Sequence, residues 1–332
     1  MRIQVVEEGI RVMRQRFSWI KSGKSKKKKG GGGAKPSVLP PFTFSALVIP
    51  HIYMYAHQMK EDRPEKEEKT EKFAHKRSLG QNFLTSEVVP NWMCEAGEVK
   101  KDEIILEIGP GTGMLTKTLL EKGAKVIAIE ADSRAIDKLN ETFAEEIGNG
   151  QLTIHHGDAR EITPETLGLK SRQFKVVANI PYYLSGFLLR TLLENPAQPS
   201  NLTFLIQKEL AERIARDKKE SILSLAVKVF GNPIYKKTVA RGHFFPKPKV
   251  DSAILSIYNI NNDNFTDLNK DLFFKIIHLG LGNKRKQLLS NLSREYKRDD
   301  LERIFIELEI SLKARGEDLK LDTWLELCHK LV

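Results

Sequence analysis

The stretch "VVANIPYY", residues 176–183, sets a carboxamide, a proline and two tyrosines directly after an apolar run. Asn179 can accept a hydrogen bond through its side-chain oxygen, and the Ile180 carbonyl offers a second acceptor. Pro181 restricts the backbone and so holds that carbonyl in one direction. Tyr182 supplies a ring face for stacking, the usual grip on an unpaired base. This set suits a flat polar ring carrying an exocyclic amine. Such an amine is a weak nucleophile, because its lone pair is delocalised into the ring. Two acceptors taking its two N–H bonds would turn the nitrogen toward tetrahedral geometry and free the lone pair. Catalysis of that kind rests on positioning and needs no histidine. His155, His156 and His243 are accordingly expected to be strand or turn residues.

The electrophile has to be held nearby. In "DEIILEIGPGTG" an apolar run carrying Glu107 breaks into Gly109, Gly111 and Gly113, a G-x-G-x-G spacing. The dinucleotide fingerprint would need glycine where Met114 stands. Glycine lets backbone pass close to a ligand with no Cβ in the way. The next apolar run, "AKVIAIEAD", ends on Glu130, an acid placed to meet a pair of ribose hydroxyls. Asp158, in "GDA", can accept from the exocyclic amine of a bound adenine. Together these residues fit S-adenosylmethionine better than a nicotinamide dinucleotide. No metal is expected: Cys94 and Cys328 stand far apart without histidines at ligand spacing, and read as reduced core thiols.

The elements that must position these residues are legible in outline. Four short apolar runs ending near Glu107, Glu130, Asp158 and Asn179 read as strands. Between them, "MLTKTLLEKG" is apolar at helical spacing and closes on Gly123, and 133–147 reads as one helix. This alternation predicts an α/β, doubly wound, mostly parallel sheet, with ligands at the carboxyl ends of the strands.

The rest of the chain sets limits. Of the formal net charge of +11, residues 1–75 carry +8, so the whole-chain value says little about nucleic-acid binding. Residues 208–249 hold 11 Lys/Arg against 4 Asp/Glu, which is a local case for a polyanion. Residues 1–72, with a lysine run, a glycine run and a mixed-charge stretch, have the composition of disorder. The apolar stretch at 42–56 is short of the ~20 residues that span a bilayer and lies too far along for an ordinary signal peptide. No membrane role is expected, and translation could begin at Met59.

"NIPY" after "LEIGPGTG" resembles the ribosomal RNA adenine N6,N6-dimethyltransferases. "KRSLGQNFL" (76–84), "LIQKELAERI" (205–214) and "FFPKPKVDSAIL" (244–255) follow in the order that family shows them. The resemblance covers about 73–332 and implies a Rossmann-like methyltransferase domain over 73–262 and a small all-helical RNA-substrate domain over 263–332. It also implies that Asn82 and Leu84 border the methyl donor and that Phe244 approaches the target base from the far side. The large-subunit enzymes that confer macrolide resistance share this core. "LGNKRKQLLSNL" (281–292) and "KARGEDLKLDTWLEL" (313–327) resemble the small-subunit branch instead. Tyr183, Gly186 and Gln287, and an extra Gly316, depart from the family pattern. The activity implied is dimethylation of two adjacent adenosines near the 3′ end of small-subunit rRNA. It would occur in the cytoplasm, on a partly assembled 30S particle, by a monomer. Lys208, Arg213, Arg216, Lys247, Lys249, Lys284, Arg285 and Lys286 are the expected RNA contacts. A binder that kept the fold without turnover would have no need of the glycine loop or of Asn179–Tyr182.

Overall fold

The computed structural model describes residues 82–331. The basic extension, the apolar stretch at 42–56, Met59 and positions 76–81 of the first signature lie outside the described residues. The strands are β1 (Phe83–Leu84), β2 (Ile104–Ile108), β3 (Lys125–Glu130), β4 (Leu152–His156), β5 (Phe174–Asn179), β6 (Leu202–Gln207), β7 (Asn232–Val239), β8 (Phe244–Phe245) and β9 (Ser252–Tyr258). Seven form one sheet in the order β4-β3-β2-β5-β6-β9-β7. The first five are parallel, and β9 runs antiparallel to both β6 and β7. All four tips read from the sequence therefore lie on one edge, with Glu107 opposite Ala128 and Asn179 opposite Leu205.

Alternation along the strands sorts the core into two faces. Ile105, Val177 and Leu205 join one cluster, under α1 (Val88–Ala96), α2 (Met114–Glu121) and α3 (Ser133–Thr142). Leu106, Val176 and Phe204 join the other, under α5 (Ser185–Glu194), α6 (Lys208–Ala215) and α7 (Ile222–Lys228). Being buried on both sides, these strands read as continuous apolar runs.

The helix expected over 133–147 is two. Its chain breaks at Phe143 between α3 and the short α4 (Ala144–Gly148). Phe143 is buried, and its ring stands where a Cβ on Gly113 would be, 2.6 Å away. The ring's insertion against the glycine loop turns the chain at the cost of helical continuity.

The C-terminal helices are α8 (Lys270–Leu281), α9 (Leu288–Leu292), α10 (Arg298–Glu307) and α11 (Leu321–Lys330). They share a core with the sheet: Phe273, Ile277 and Trp324 are buried in the same cluster as Leu188 and Phe230. Phe265 bridges the two parts, 5.4 Å from Phe230 and 5.7 Å from Phe273. Gly316 has a packing reason, since a Cβ there would meet the Gly280 carbonyl at 2.9 Å. Cys94 and Cys328 are free and buried, and burial pushes both thiols up to about 12. No helix among the described residues is long and apolar enough to cross a membrane. Among the same residues no cluster of His, Cys, Asp or Glu could hold a metal.

Candidate active site

The tips of β2–β5 open into one cleft, lined by residues 107–112, 129–131, 157–160 and 179–184 and bordered by Asn82, Phe83 and Leu84. One half is stitched together by backbone donors. Gly109, Gly111 and Gly113 all have positive φ. A Cβ at Gly109 would meet no protein atom within 4 Å, so the bare backbone there faces open space. The Glu130 carboxylate accepts from Ala131 N at 2.8 Å and Asp132 N at 2.9 Å through Oε1, and from Gly111 N at 3.1 Å through Oε2. A carboxylate has about four acceptor sites, so one remains for a ligand hydroxyl. Gly113 is not at the cleft surface. It sits behind it as the left-handed N-cap of α2, shaping the loop and making room for Phe143.

Glu107 is 1% exposed and lines the floor of the same half. Thr116 donates to its Oε2 at 2.7 Å. Burial raises its carboxyl to about 8, against a smaller lowering by the Thr116 bond. It is therefore largely a neutral acid at pH 7.

Asp158 is engaged otherwise than expected. Both its oxygens accept from the Arg160 guanidinium, and Oδ1 also accepts from Arg160 N at 2.9 Å. These bonds hold its carboxyl below the usual carboxylate range. An adenine amine would share this acid with Arg160.

The other half is held by bonds between distant segments. The Asn179 carboxamide donates through Nδ2 to the Asn82 carbonyl at 3.2 Å, 97 residues away in sequence. This bond uses one of the two Nδ2 hydrogens and leaves Oδ1 as the group's acceptor, an orientation assigned from the bond. Ile180 is buried and Pro181 is extended (φ −56°, ψ 133°), so the chain turns sharply into the one-turn helix 182–184. The Tyr182 hydroxyl is 2.7 Å from Ser252 Oγ at the start of β9. Burial pushes its phenol upward, opposed by the Ser252 bond.

Phe244 departs from expectation. It is 4% exposed, belongs to the core cluster of α1–α3 and is not among the cleft-lining residues. The reason is register: β1 and β8 pair antiparallel with Leu84 opposite Phe244. Both side chains are thereby directed into the core, while Phe245 on the opposite face is 66% exposed.

The expected RNA contacts fall in three places. Lys208 and Arg213 are on α6 and pair along it with Glu212 and Glu209, and Arg216 caps that helix with its guanidinium over the Tyr235 ring. Lys247 and Lys249 are exposed on the loop after β8. Lys284, Arg285 and Lys286 are exposed on the turn from α8 to α9. Asn291, 1% exposed, anchors that turn by donating to the Gly280 carbonyl at 2.7 Å and the Asn283 carbonyl at 3.2 Å. The three histidines lie in β4 and in the turn 241–243. Thr116, Arg160 and Ser252 were not singled out from the sequence. Each acts through a partner that spacing alone does not indicate.

The model of the ribosomal RNA adenine dimethylase family matches residues 72–331. A ribosomal RNA small subunit methyltransferase A of Dehalococcoides mccartyi is 33% identical over 256 residues, 76% of this chain and 87% of the relative. One of Fusobacterium nucleatum is 34% identical over 260 residues, 77% and 97% of the two chains. Among solved structures, a dimethyladenosine transferase from Plasmodium falciparum superposes with TM-score 0.63 at 26% identity, covering 74% of this chain and 95% of that one. The 23S rRNA methyltransferase ErmE gives TM-score 0.61 at 24% identity, 75% and 99% of the chains, a likeness of fold. The fold is the Rossmann-like fold of S-adenosylmethionine-dependent methyltransferases, and the chain belongs to the ribosomal RNA adenine dimethylase family.

Proposed function

We propose that the chain dimethylates N6 of two adjacent adenosines in the 3′-terminal hairpin of small-subunit rRNA. It would act as a monomer on a partly assembled 30S particle in the cytoplasm. The observation that carries the reading is the Asn179 carboxamide, a cleft-lining group tied through its nitrogen to the Asn82 carbonyl, which leaves its oxygen to accept. The family and its small-subunit relatives support the same substrate.

The cleft fits S-adenosylmethionine: bare backbone at Gly109 opposes three acids, Glu107, Glu130 and Asp158. Gly109, Gly111 and Glu130 would hold its ribose side, Asp158 its adenine, and Asn82 and Leu84 the border toward the acceptor. Gly113 contributes the loop's shape. When bound, the donor supplies an electrophilic methyl on a sulfonium sulfur. The protein's part is to present the amine. Asn179 Oδ1 and the Ile180 carbonyl take its two N–H bonds, Pro181 fixes the second acceptor, and Tyr182 stacks on the base from a position set by Ser252. A base flanked on its other side by Phe244 would require β1 and β8 to separate. The helical segment 263–331 and the exposed Lys247, Lys249 and 284–286 would meet rRNA phosphates, which fix position with little sequence reading. Lys208, Arg213 and Arg216 would join them along α6.

The test is methyl transfer from labelled donor to two substrates in parallel. One is small subunits from cells lacking the dimethylation; the other is protein-free large-subunit rRNA. Label on the first, approaching four methyls per particle, is expected. Label on the second alone would move the activity to the large subunit, and label on neither would leave a binding protein.

A further inference from the structure

Tyr182 and Tyr183 are adjacent and both line the cleft, yet they are held differently. Tyr182 is half-buried and tied to Ser252. Tyr183 remains 48% exposed on the one-turn helix at the cleft's rim. Arg160 lines the same cleft, and its side chain is 56% exposed. Asp158 grips this guanidinium along its Nε–Nη2 edge. A guanidinium has five N–H donors, so the Nη1 side stays available, already oriented and with little rotamer freedom left to lose. An aromatic face beside a pre-aimed arginine is the pairing that single-stranded nucleic acid meets in its binding grooves: a base on the ring, a phosphate on the cation. Neither side chain has a place in presenting the target amine. Both line the same cleft as Asn179–Tyr182.

We infer that Arg160 and Tyr183 form a subsite for the nucleotide adjoining the target adenosine, its base against the Tyr183 ring and its phosphate on the Arg160 guanidinium. This inference rests on the reading of the chain as an rRNA adenine methyltransferase. Occupancy of the subsite by the second adenosine would hold it one step from the acceptor while the first is methylated.

The full chain, with Tyr183→Ala, Tyr183→Phe and Arg160→Gln, is assayed on small subunits lacking the dimethylation, beside S-adenosylhomocysteine binding by calorimetry. Loss of a stacking face should raise the KM for subunits about tenfold in Tyr183→Ala, with Tyr183→Phe near wild type. Affinity for S-adenosylhomocysteine should stay within about twofold in both, which also shows that the fold is kept. For Arg160→Gln, the slope of log affinity for a hairpin RNA against log salt should fall by about 0.7, one phosphate's worth. An unchanged KM in Tyr183→Ala, or weakening confined to S-adenosylhomocysteine, would overturn the subsite and return the pair to the donor's adenine. Wild-type protein that methylates no small subunits would instead overturn the underlying reading, a result visible before any variant is compared.

Discussion

The two halves of the cleft are built by different means. On the donor side, Glu107, Gly111, Gly113 and Glu130 are buried, and backbone N–H groups of adjoining loops supply most of the bonds. On the acceptor side, two bonds join segments far apart in the chain: Asn179 to Asn82, and Tyr182 to Ser252. Both are part-buried. The donor half is thus continuous with the core, and damage there should appear as lost stability. The acceptor half is a set of side chains held at one edge, and damage there should appear as lost turnover in a folded protein.

The largest stability loss is expected at the loop's rear. Gly113→Ala sets a Cβ at φ 82° and within 2.6 Å of the Phe143 ring and 2.9 Å of Leu139. Strain and overpacking together should cost about 2–5 kcal/mol, read as a lower denaturant midpoint. A midpoint like wild type would break the assignment of the donor half to the core.

Glu107 sharpens the contrast through pH. Its folded carboxyl, at about 8, lies above the ordinary 4.5, so the folded state holds the proton more tightly than the unfolded chain. The stability this confers is complete below about pH 4.5 and is lost as pH rises through about 8, on the order of a few kcal/mol. Thermal melts of wild type and Glu107→Gln from pH 5 to 9 should therefore approach or cross, with wild type losing ground toward alkaline pH. A constant difference between them would show that the carboxyl is already ionised when buried.

A smaller effect is expected across the cleft. Tyr182→Phe keeps the stacking ring and removes the bond to Ser252, worth about 1 kcal/mol, or about fivefold in kcat/KM. Its melting temperature should move little. A large drop in stability with normal turnover would reverse the comparison.

How far the sequence discloses this site follows the same division. Glu107, Gly109, Glu130, Asp158 and Asn179 end apolar runs, and a parallel sheet puts such ends on one edge, so their gathering in one cleft was readable from alternation alone. The bonds of Asn179 and Tyr182 were not, because contacts 97 and 70 residues apart leave no periodic trace. The burial of Phe244 was not readable for a related reason. Its family motif marks a loop near the site, but its pairing with Leu84 decides which of two adjacent phenylalanines turns inward. The break at Phe143 was hidden because apolar spacing continues across it, and only the missing Cβ of Gly113 explains where the ring goes.

Whether the Asn179 oxygen presents the adenosine amine is read from Asn179→Ala. Methyl transfer to small subunits lacking the dimethylation and affinity for the same particles are measured on one preparation. Transfer is expected to fall about 100-fold or more while affinity stays near wild type, as loss of a positioning contact requires. Transfer at a near-normal rate would contradict this account of the acceptor half.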